Sequence, residues 1–151
     1  MSDKLHFEIL IDSSPNEVYQ KMLDDKTYRQ WTEPFSPGSY YEGSWEKNAR
    51  IRFLGPNPEE GKPAGMVSEI EENIPAKFVS IKHLGIIKDG KEITEGPEVD
   101  NWKGAHENYT LEKVGDKTKV LIDMDSNDEM EEFLLDSWPK ALNKLKEICE
   151  N

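Results

Sequence analysis

The sequence has 151 residues, and its 19 lysines and arginines stand against 31 aspartates and glutamates, which gives a formal net charge of −12. This length suits one domain with a real hydrophobic core, while the negative charge disfavours nucleic acid and anionic membranes as partners. No stretch approaches the roughly 20 consecutive apolar residues of a membrane-spanning helix, and the first residues lack a signal-peptide pattern. We therefore expect a single domain over residues 1–151, without membrane insertion, in the cytoplasm.

The amino-terminal part predicts one strand followed by two short helices. Leu5–Ile11 has the composition of a strand. Ser14 and Glu17 stand at capping-box spacing, with a proline at the first helical position, so a helix should begin there. Tyr28 and Trp31 continue into a second short helix, which two following prolines should end.

The middle of the chain predicts a series of short strands joined by turns, as in an antiparallel sheet. Asp89-Gly90 is a strong signal for a tight hairpin that may extend beyond the sheet. Apolar neighbours at Met66-Val67 and Phe78-Val79 leave open which member of each pair faces inward. The predicted strands are Tyr40–Trp45, Arg50–Leu54, Ala64–Glu71, Lys77–Ile87, Trp102–Val114 and Lys117–Asp125, with turns at Gly55–Pro58 and an acidic loop ending near Asn101.

The carboxyl-terminal segment Asp128–Glu150 predicts a long amphipathic helix, because its apolar residues recur every three or four positions. Ser126 and Glu129 supply capping-box spacing at its start. Pro139 lacks an amide proton and should kink or break the helix. Cys149, the single cysteine, excludes an internal disulfide, fits a reducing compartment and indicates packing rather than nucleophilic catalysis.

This order of elements predicts an α+β fold, in which a curved antiparallel sheet grips one long helix. The chain resembles the START-like (SRPBCC) superfamily, whose helix-grip fold curls about seven strands around a carboxyl-terminal helix. Within it, the sequence is similar to homologues of the activator of the heat-shock chaperone ATPase. The resemblance is carried, in order, by Ile11–Tyr19, Trp31, Gly65–Ile70, Glu107–Leu111, Thr118, Trp138, Leu142, Leu145 and Lys146.

The resemblance implies a hydrophobic cavity between sheet and helix, in which members variously bind lipids, hormones or polyketides. We expect a small hydrophobic or aromatic ligand to bind there, since a curved sheet leaves a concavity that large side chains line. Plain packing remains the alternative for each aromatic residue taken alone. The candidate ligand-binding residues are Trp31, Phe35, Tyr41, Phe53, Phe78, His83, Trp102, Tyr109, Trp138 and Leu142.

Two other functions stay open at this point. A protein-interaction role would place a chaperone or another protein on the acidic surface or on the Asp89-Gly90 hairpin, with the chain a monomer or weak dimer. Full-length activators carry an additional amino-terminal domain, and this sequence opens on the first strand, which makes co-chaperone activity the lesser expectation. The resemblance implies a stress-response role in that case.

A cyclase-like or dehydratase-like enzyme is the third possibility. It would need a buried His106 or Glu107 that lines the cavity and acts as acid or base. None of His6, His83 and His106 stands in a metal-binding pattern. We therefore expect no catalytic residue, no metal and no cofactor.

Overall fold

The structure, a computed structural model, describes residues 3–56, 63–100, 102–126 and 128–150, apart from the side chains of residues 3, 128 and 129. Within these ranges the chain forms eight strands and three helices. In chain order they are β1 (Asp3–Ile11), α1 (Pro15–Leu23), α2 (Asp25–Trp31), β2 (Tyr40–Gly43), β3 (Arg50–Gly55), β4 (Ala64–Ile74), β5 (Phe78–Lys88), β6 (Lys91–Ile93), β7 (His106–Val114), β8 (Lys117–Ser126) and α3 (Asp128–Glu150).

The strands form one open sheet in the order β1-β8-β7-β5-β4-β3-β2, with every neighbouring pair antiparallel. Two short helices follow β1, and the long helix α3 closes the chain. The predicted α+β, helix-grip architecture is therefore confirmed. The extra strand relative to the expected seven is the short β6, which pairs only with β5.

The hairpin between β5 and β6 forms where Asp89-Gly90 predicts it. Asp89 has φ 53° and Gly90 has φ 76°, the left-handed values that a two-residue hairpin turn requires. Glu92 on β6 pairs with Arg50 at 2.9 Å and with Arg52 at 2.7 Å. These two ion pairs hold the hairpin against β3.

The first helix begins as predicted, because the Ser14 hydroxyl accepts a hydrogen bond from the Glu17 amide at 3.2 Å. The indole of Trp31 in α2 donates to the carbonyl oxygen of Met22 in α1 at 3.1 Å. This bond ties the two short helices together. It also fixes the Trp31 ring between α1 and the rest of the core.

Helix α3 has the predicted bounds, Asp128–Glu150, and it runs through Pro139 without a break. The predicted break is therefore wrong. Pro139 removes the hydrogen bond to the carbonyl of Leu135, but both residues lie on the exposed face of the helix, where water can replace that bond. The capping box of Ser126 and Glu129 lies partly outside the described side chains, as do parts of the turn at Gly55–Pro58 and of the loop ending near Asn101.

Two strands are shorter than predicted. Strand β2 ends at Gly43 instead of Trp45, and β7 begins at His106 instead of Trp102. Trp102 lies in a turn, in which the Ala105 amide donates to the Trp102 carbonyl at 3.0 Å and Gly104 adopts φ 88°. The aromatic character of Trp102 suggested a strand, whereas the glycine two residues later ends the turn.

The core lies between one face of the sheet and the three helices. Val79 belongs to this core, whereas Phe78 is only half-buried and lies outside it. Val67 joins a smaller cluster with Leu54 and Ile87. A register shift between Val67 and Ser68 interrupts the alternation of β4, which explains why the sequence left its inward face undecided. Among the described helices, none is long and apolar enough to cross a membrane.

Candidate functional site

A cavity of about 440 Å³ lies between α2, the first half of α3 and strands β3, β4, β7 and β8. Its wall is mostly apolar and includes eight aromatic side chains. Small and aliphatic residues near the paired ends of β3 and β4 complete it, including Gly55, Ala64 and Gly65. The aromatic lining residues are Tyr28, Trp31, Phe35, Phe53, Trp102, Tyr109, Phe133 and Trp138, and the polar ones are Thr32, Ser36, Ser39 and Glu107.

Two helical faces supply eight of the lining residues. Tyr28, Trp31, Thr32 and Phe35 follow one another at steps of three, one and three residues, which puts α2 and the turn after it on one side of the cavity. Met130, Phe133, Leu134 and Trp138 follow at steps of three, one and four residues, which puts one face of α3 on the wall beside α2. The helical periodicity of both segments thus determines which side chains border the cavity.

Trp138 is the central ring of the aromatic wall. Its ring centroid lies 4.9 Å from that of Phe35 in an edge-to-face arrangement, and 6.0 Å from the centroids of both Trp31 and Tyr109. Rings in such contacts stabilise one another beyond the area they bury. The wall formed by α2, β7 and α3 is therefore a connected aromatic cluster.

Strand β7 supplies the only carboxylate among the described lining residues. Glu107 and Tyr109 are two positions apart on the strand, so both point into the cavity. His106 directly precedes Glu107 and points to the other face of the sheet, where its Nε2 hydrogen-bonds Glu71 at 2.9 Å. The Tyr109 hydroxyl donates a hydrogen bond to Glu107 Oε2. Of the two residues considered as a possible acid or base, His106 and Glu107, only Glu107 lines the cavity.

The phenols that flank Glu107 are neutral hydrogen-bond donors. Burial, and next the nearby Glu107 carboxylate, raise the pKa of Tyr109 well above its ordinary value. Burial and then Glu107 also raise the pKa of Tyr28. Neither hydroxyl can therefore act as a base near neutral pH.

His83 lies next to this cluster without lining the cavity. Its ring stacks on that of Trp102 with centroids 4.9 Å apart, and its Nδ1 shares a 2.8 Å hydrogen bond with the Ser68 hydroxyl. Nε2 lies 3.6 Å from Glu107 Oε1 and has no hydrogen-bond partner among the residues that the structure describes. Serine, histidine and glutamate also make hydrolytic triads, but Ser68 is fully buried and out of reach of a substrate.

Other groups that could carry chemistry lie elsewhere. Cys149 is buried near the end of α3, and burial raises the pKa of its thiol to about 11, so it is a poor nucleophile. In the described part of the chain, no three His, Cys, Asp or Glu side chains are grouped to hold a metal ion. The arrangement is suited to surrounding an apolar molecule, with one carboxylate available to it.

The structure brings together six of the ten predicted site residues. Trp31, Phe35, Phe53, Trp102, Tyr109 and Trp138 all line the cavity. Whether they bind a ligand remains a prediction.

The other four predicted residues lie outside the cavity. The Tyr41 ring packs 5.0 Å from that of Tyr28, and its hydroxyl donates to the Leu23 carbonyl at 2.6 Å. Phe78 is half-buried outside the core, and His83 stacks on Trp102. Leu142 borders a separate recess of about 220 Å³ between β1 and α3.

The prediction missed several residues that line the cavity. The candidate residues were mainly aromatic, so the prediction did not include Met66, Met124, Met130 and Leu134. It also left out Phe133, although that residue is aromatic. Tyr28 was also missed. A signal existed for most of them, because Tyr28 shares the helical face of Trp31, and Met130, Phe133 and Leu134 share the face of Trp138.

Comparison with solved structures identifies the fold. The Aha1 dimer from Colwellia psychrerythraea is 21% identical, with 98% of this chain and 96% of that chain covered and a TM-score of 0.71. Protein CV1439 from Chromobacterium violaceum is 14% identical over 98% and 97% of the two chains, with a TM-score of 0.71. CalU16 from Micromonospora echinospora is 16% identical over 95% and 74%, with a TM-score of 0.64.

These similarities show that the chain shares the overall fold of these proteins, which is consistent with the START-like fold expected from the sequence. At identities of 21% and below they concern the fold alone. No protein-family model matches the sequence, and no curated protein matches it significantly.

Proposed function

We propose that the protein binds a small, largely apolar ligand with an aromatic portion in the cavity between α2, α3 and the sheet. The observation that carries this proposal is the cavity itself, about 440 Å³ in volume and walled by eight aromatic rings. Ligand sites commonly measure about 300 to 1,000 Å³ and combine an apolar wall with a few polar groups. The cavity has both properties.

The aromatic wall favours a flat ligand. Ring faces and edges are presented from α2, β3, β7 and α3, so an aromatic molecule can contact several of them at offset or edge-to-face angles. Glu107, Thr32, Ser36 and Ser39 offer hydrogen-bonding groups that can orient it. Affinity would come from buried apolar area, and orientation from these few polar contacts.

Native mass spectrometry of the freshly purified protein is the first test of this proposal. The mass under native conditions is compared with the mass after denaturation, and a small apolar molecule that is lost on unfolding would support the proposal. The adduct's mass would also give its chemical class.

A titration with a known probe tests the same site without relying on a retained molecule. Neutral 1-naphthylmethanol is added while the fluorescence of the lining tryptophans is followed. Ala64→Phe places a ring into the cavity and should weaken binding by about tenfold or more. Ala49→Phe adds the same ring at a half-buried position that does not line the cavity and should leave binding unchanged. No binding to the wild type, or equal losses in both variants, would contradict the proposal.

A protein-interaction role similar to that of the chaperone ATPase activators is the second candidate function. The observation that favours it is the similarity to the Aha1 dimer over nearly the whole of both chains. Under this hypothesis the chain stimulates ATP hydrolysis by a purified heat-shock chaperone of the Hsp90 class, and the stimulation falls as salt rises because the acidic surface takes part. An unchanged rate of ATP hydrolysis would count against it.

A further inference from the structure

We infer that the ligand carries a positively charged amine, which pairs with Glu107 inside the aromatic cavity. This inference rests on the proposed ligand-binding function and adds the charge of the ligand to it. The feature behind it is a carboxylate that lies among aromatic rings and has no lysine or arginine partner among the described residues.

Among the described residues, none makes a hydrogen bond to one of the two oxygens of Glu107. Its side chain is 13% exposed. Oε2 accepts the hydrogen bond from the Tyr109 hydroxyl. Oε1 lies 3.6 Å from Nε2 of His83, which is longer than a hydrogen bond. A donor on a ligand in the cavity can therefore reach Oε1 without displacing a protein group.

The charge balance favours a cation over other ligands. Tyr109 and Tyr28 are neutral, so they do not compensate the charge of the Glu107 carboxylate. Among the described residues, the basic group that pairs with Glu107 is His83, whose Nε2 lies 3.6 Å from Oε1 and makes no hydrogen bond to it. A ligand cation that bonds Oε1 would therefore reduce the cost of burying the carboxylate. An anionic ligand, such as a fatty acid, would instead place a second negative charge beside it.

The rings around the carboxylate also favour a cation. Trp31, Trp102 and Trp138 all line the cavity, and the faces of tryptophan rings attract ammonium groups more strongly than those of other aromatic residues. The formal net charge of −12 attracts cations to the molecule as a whole. Carboxylate and rings together define a site for a protonated amine attached to an apolar or aromatic group.

Three probes with the same ring and different charges test this inference at pH 7. They are 1-naphthylmethylamine, which is cationic, 1-naphthylmethanol, which is neutral, and 1-naphthoate, which is anionic. The wild-type protein should bind the amine about tenfold more tightly than the alcohol, and the naphthoate most weakly. Calorimetric titration measures all three dissociation constants, and this comparison requires no variant.

Two matched variants test whether Glu107 causes the preference for the amine over the alcohol. Glu107→Gln keeps the shape of the side chain and removes its charge, and it should weaken binding of the amine about tenfold more than binding of the alcohol, so that the amine preference falls to near unity. Glu112→Gln removes one charge from an exposed position on the same strand and should keep the preference. Thermal unfolding of both variants confirms that they are folded.

The outcomes separate this inference from the proposed function. If amine and alcohol bind the wild type equally well, the amine inference is wrong and the ligand-binding function stands. If none of the three probes binds, the proposed function fails and the inference fails with it. If Glu107→Gln retains the full preference, or if 0.5 M salt abolishes it in the wild type, the general negative field is responsible and Glu107 is not the partner.

Discussion

The two halves of helix α3 carry the same apolar stripe and end in different surroundings. Met130, Phe133, Leu134 and Trp138 in the first half border the cavity. In the second half, Ala141, Leu142, Leu145 and Cys149 are buried in the core, with none of them lining this cavity. One helix therefore has an open half, residues 130–138, and a closed half, residues 141–149.

The packing partners explain the difference. The open half faces large, rigid rings from α2 and β7, and small residues such as Gly55, Ala64 and Gly65 lie on the wall formed by β3 and β4. The space between these large rings and the small residues across from them is not filled by side chains, so the close packing typical of protein interiors is interrupted there. The closed half packs near α1 and β1, where the aliphatic side chains Val18 and Ile11 belong to the same core. The periodic apolar residues of α3 determine which face of the helix is buried. The side chains packed against that face determine whether a cavity remains.

The largest expected effect comes from deleting a leucine in the closed half. Leu145→Ala should lower the free energy of unfolding by about 4 kcal/mol, because Leu145 is 0% exposed and its removal creates a new void. Leu134→Ala, at 6% exposure beside the cavity, should cost about 2 kcal/mol, since its neighbours already border empty space.

Urea unfolding measures both values from the transition midpoints. Leu135→Ala, at 51% exposure on the same helix, provides the surface control and should stay within about 0.5 kcal/mol of the wild type. Equal costs for Leu145→Ala and Leu134→Ala would show that the two halves do not differ in packing.

The reactivity of Cys149 tests whether the closed half excludes reagents. Burial raises the pKa of its thiol from near 9 to about 11, so the thiolate is about 100-fold scarcer than in an exposed cysteine at the same pH. Native protein at pH 8 should react far more slowly with a thiol reagent than the variant Ser36→Cys in a Cys149→Ala background, whose new thiol lines the cavity. Urea-unfolded wild type should react rapidly, and fast labelling of the native protein would contradict a closed half.

The same shift in pKa has a consequence for stability at alkaline pH. The pKa of Cys149 is higher in the folded state than in the unfolded state, so the folded state holds the thiol proton more tightly. This contribution to stability is fully present below about pH 9 and is lost as the pH rises toward 11. Between about pH 9 and 11, the free energy of unfolding of Cys149→Ala should therefore depend less on pH than that of the wild type.

Adding volume to each half gives a third contrast. Ala141→Leu should destabilise the protein by about 1 to 3 kcal/mol, because Ala141 is fully buried in a packed region. Ala64→Phe adds more atoms but places them in the cavity, and its free energy of unfolding should stay within about 1 kcal/mol of the wild type. Thermal unfolding monitored by circular dichroism distinguishes the two, and tolerance of Ala141→Leu would indicate unoccupied space around Ala141, apart from the recess that Leu142 borders.

On the polar side of the open half, a smaller effect is expected than from the loss of Leu145. Tyr109→Phe removes the hydroxyl that donates to Glu107 and should lower the free energy of unfolding by about 1 to 2 kcal/mol. The wild-type hydrogen bond to a carboxylate accounts for this cost, since the ring and its contacts remain. Urea unfolding checks the value, and no change would mean that water replaces the hydroxyl in the cavity.

Much of the fold could be predicted because its elements have local signals. The stripe of α3, the Ser14 cap of α1 and the Asp89-Gly90 hairpin all depend on residues within a few positions of one another. The errors arose where more distant effects act. Trp102 lies in a turn that Gly104 completes. Of the kink or break expected at Pro139, the break does not occur, because the missing hydrogen bond faces solvent, and the kink stays a prediction.

The candidate site was predictable only in part. Residue type identified six aromatic residues that line the cavity, but it could not separate them from Tyr41 or His83, which pack behind other rings. That distinction depends on which strands and helices face one another. Glu107 illustrates the same limit, because its neighbour His106 has equally suitable chemistry and the alternation of β7 turns only one of them inward.

The pairing of β1 with β8 also governs when the domain can finish folding during translation. The Thr118 hydroxyl donates to the carbonyl of Ser13 at 2.7 Å across a separation of 105 residues, and the strands beside it pair from Ile11 with Thr118 to Asp3 with Ser126. A ribosome adds about 5 to 20 residues per second, so β1 leaves it roughly 5 to 20 s before its partner strand. Contacts this distant in sequence make folding slow. Throughout that interval β1 has been synthesised but lacks β8, the strand that pairs with it in the finished sheet.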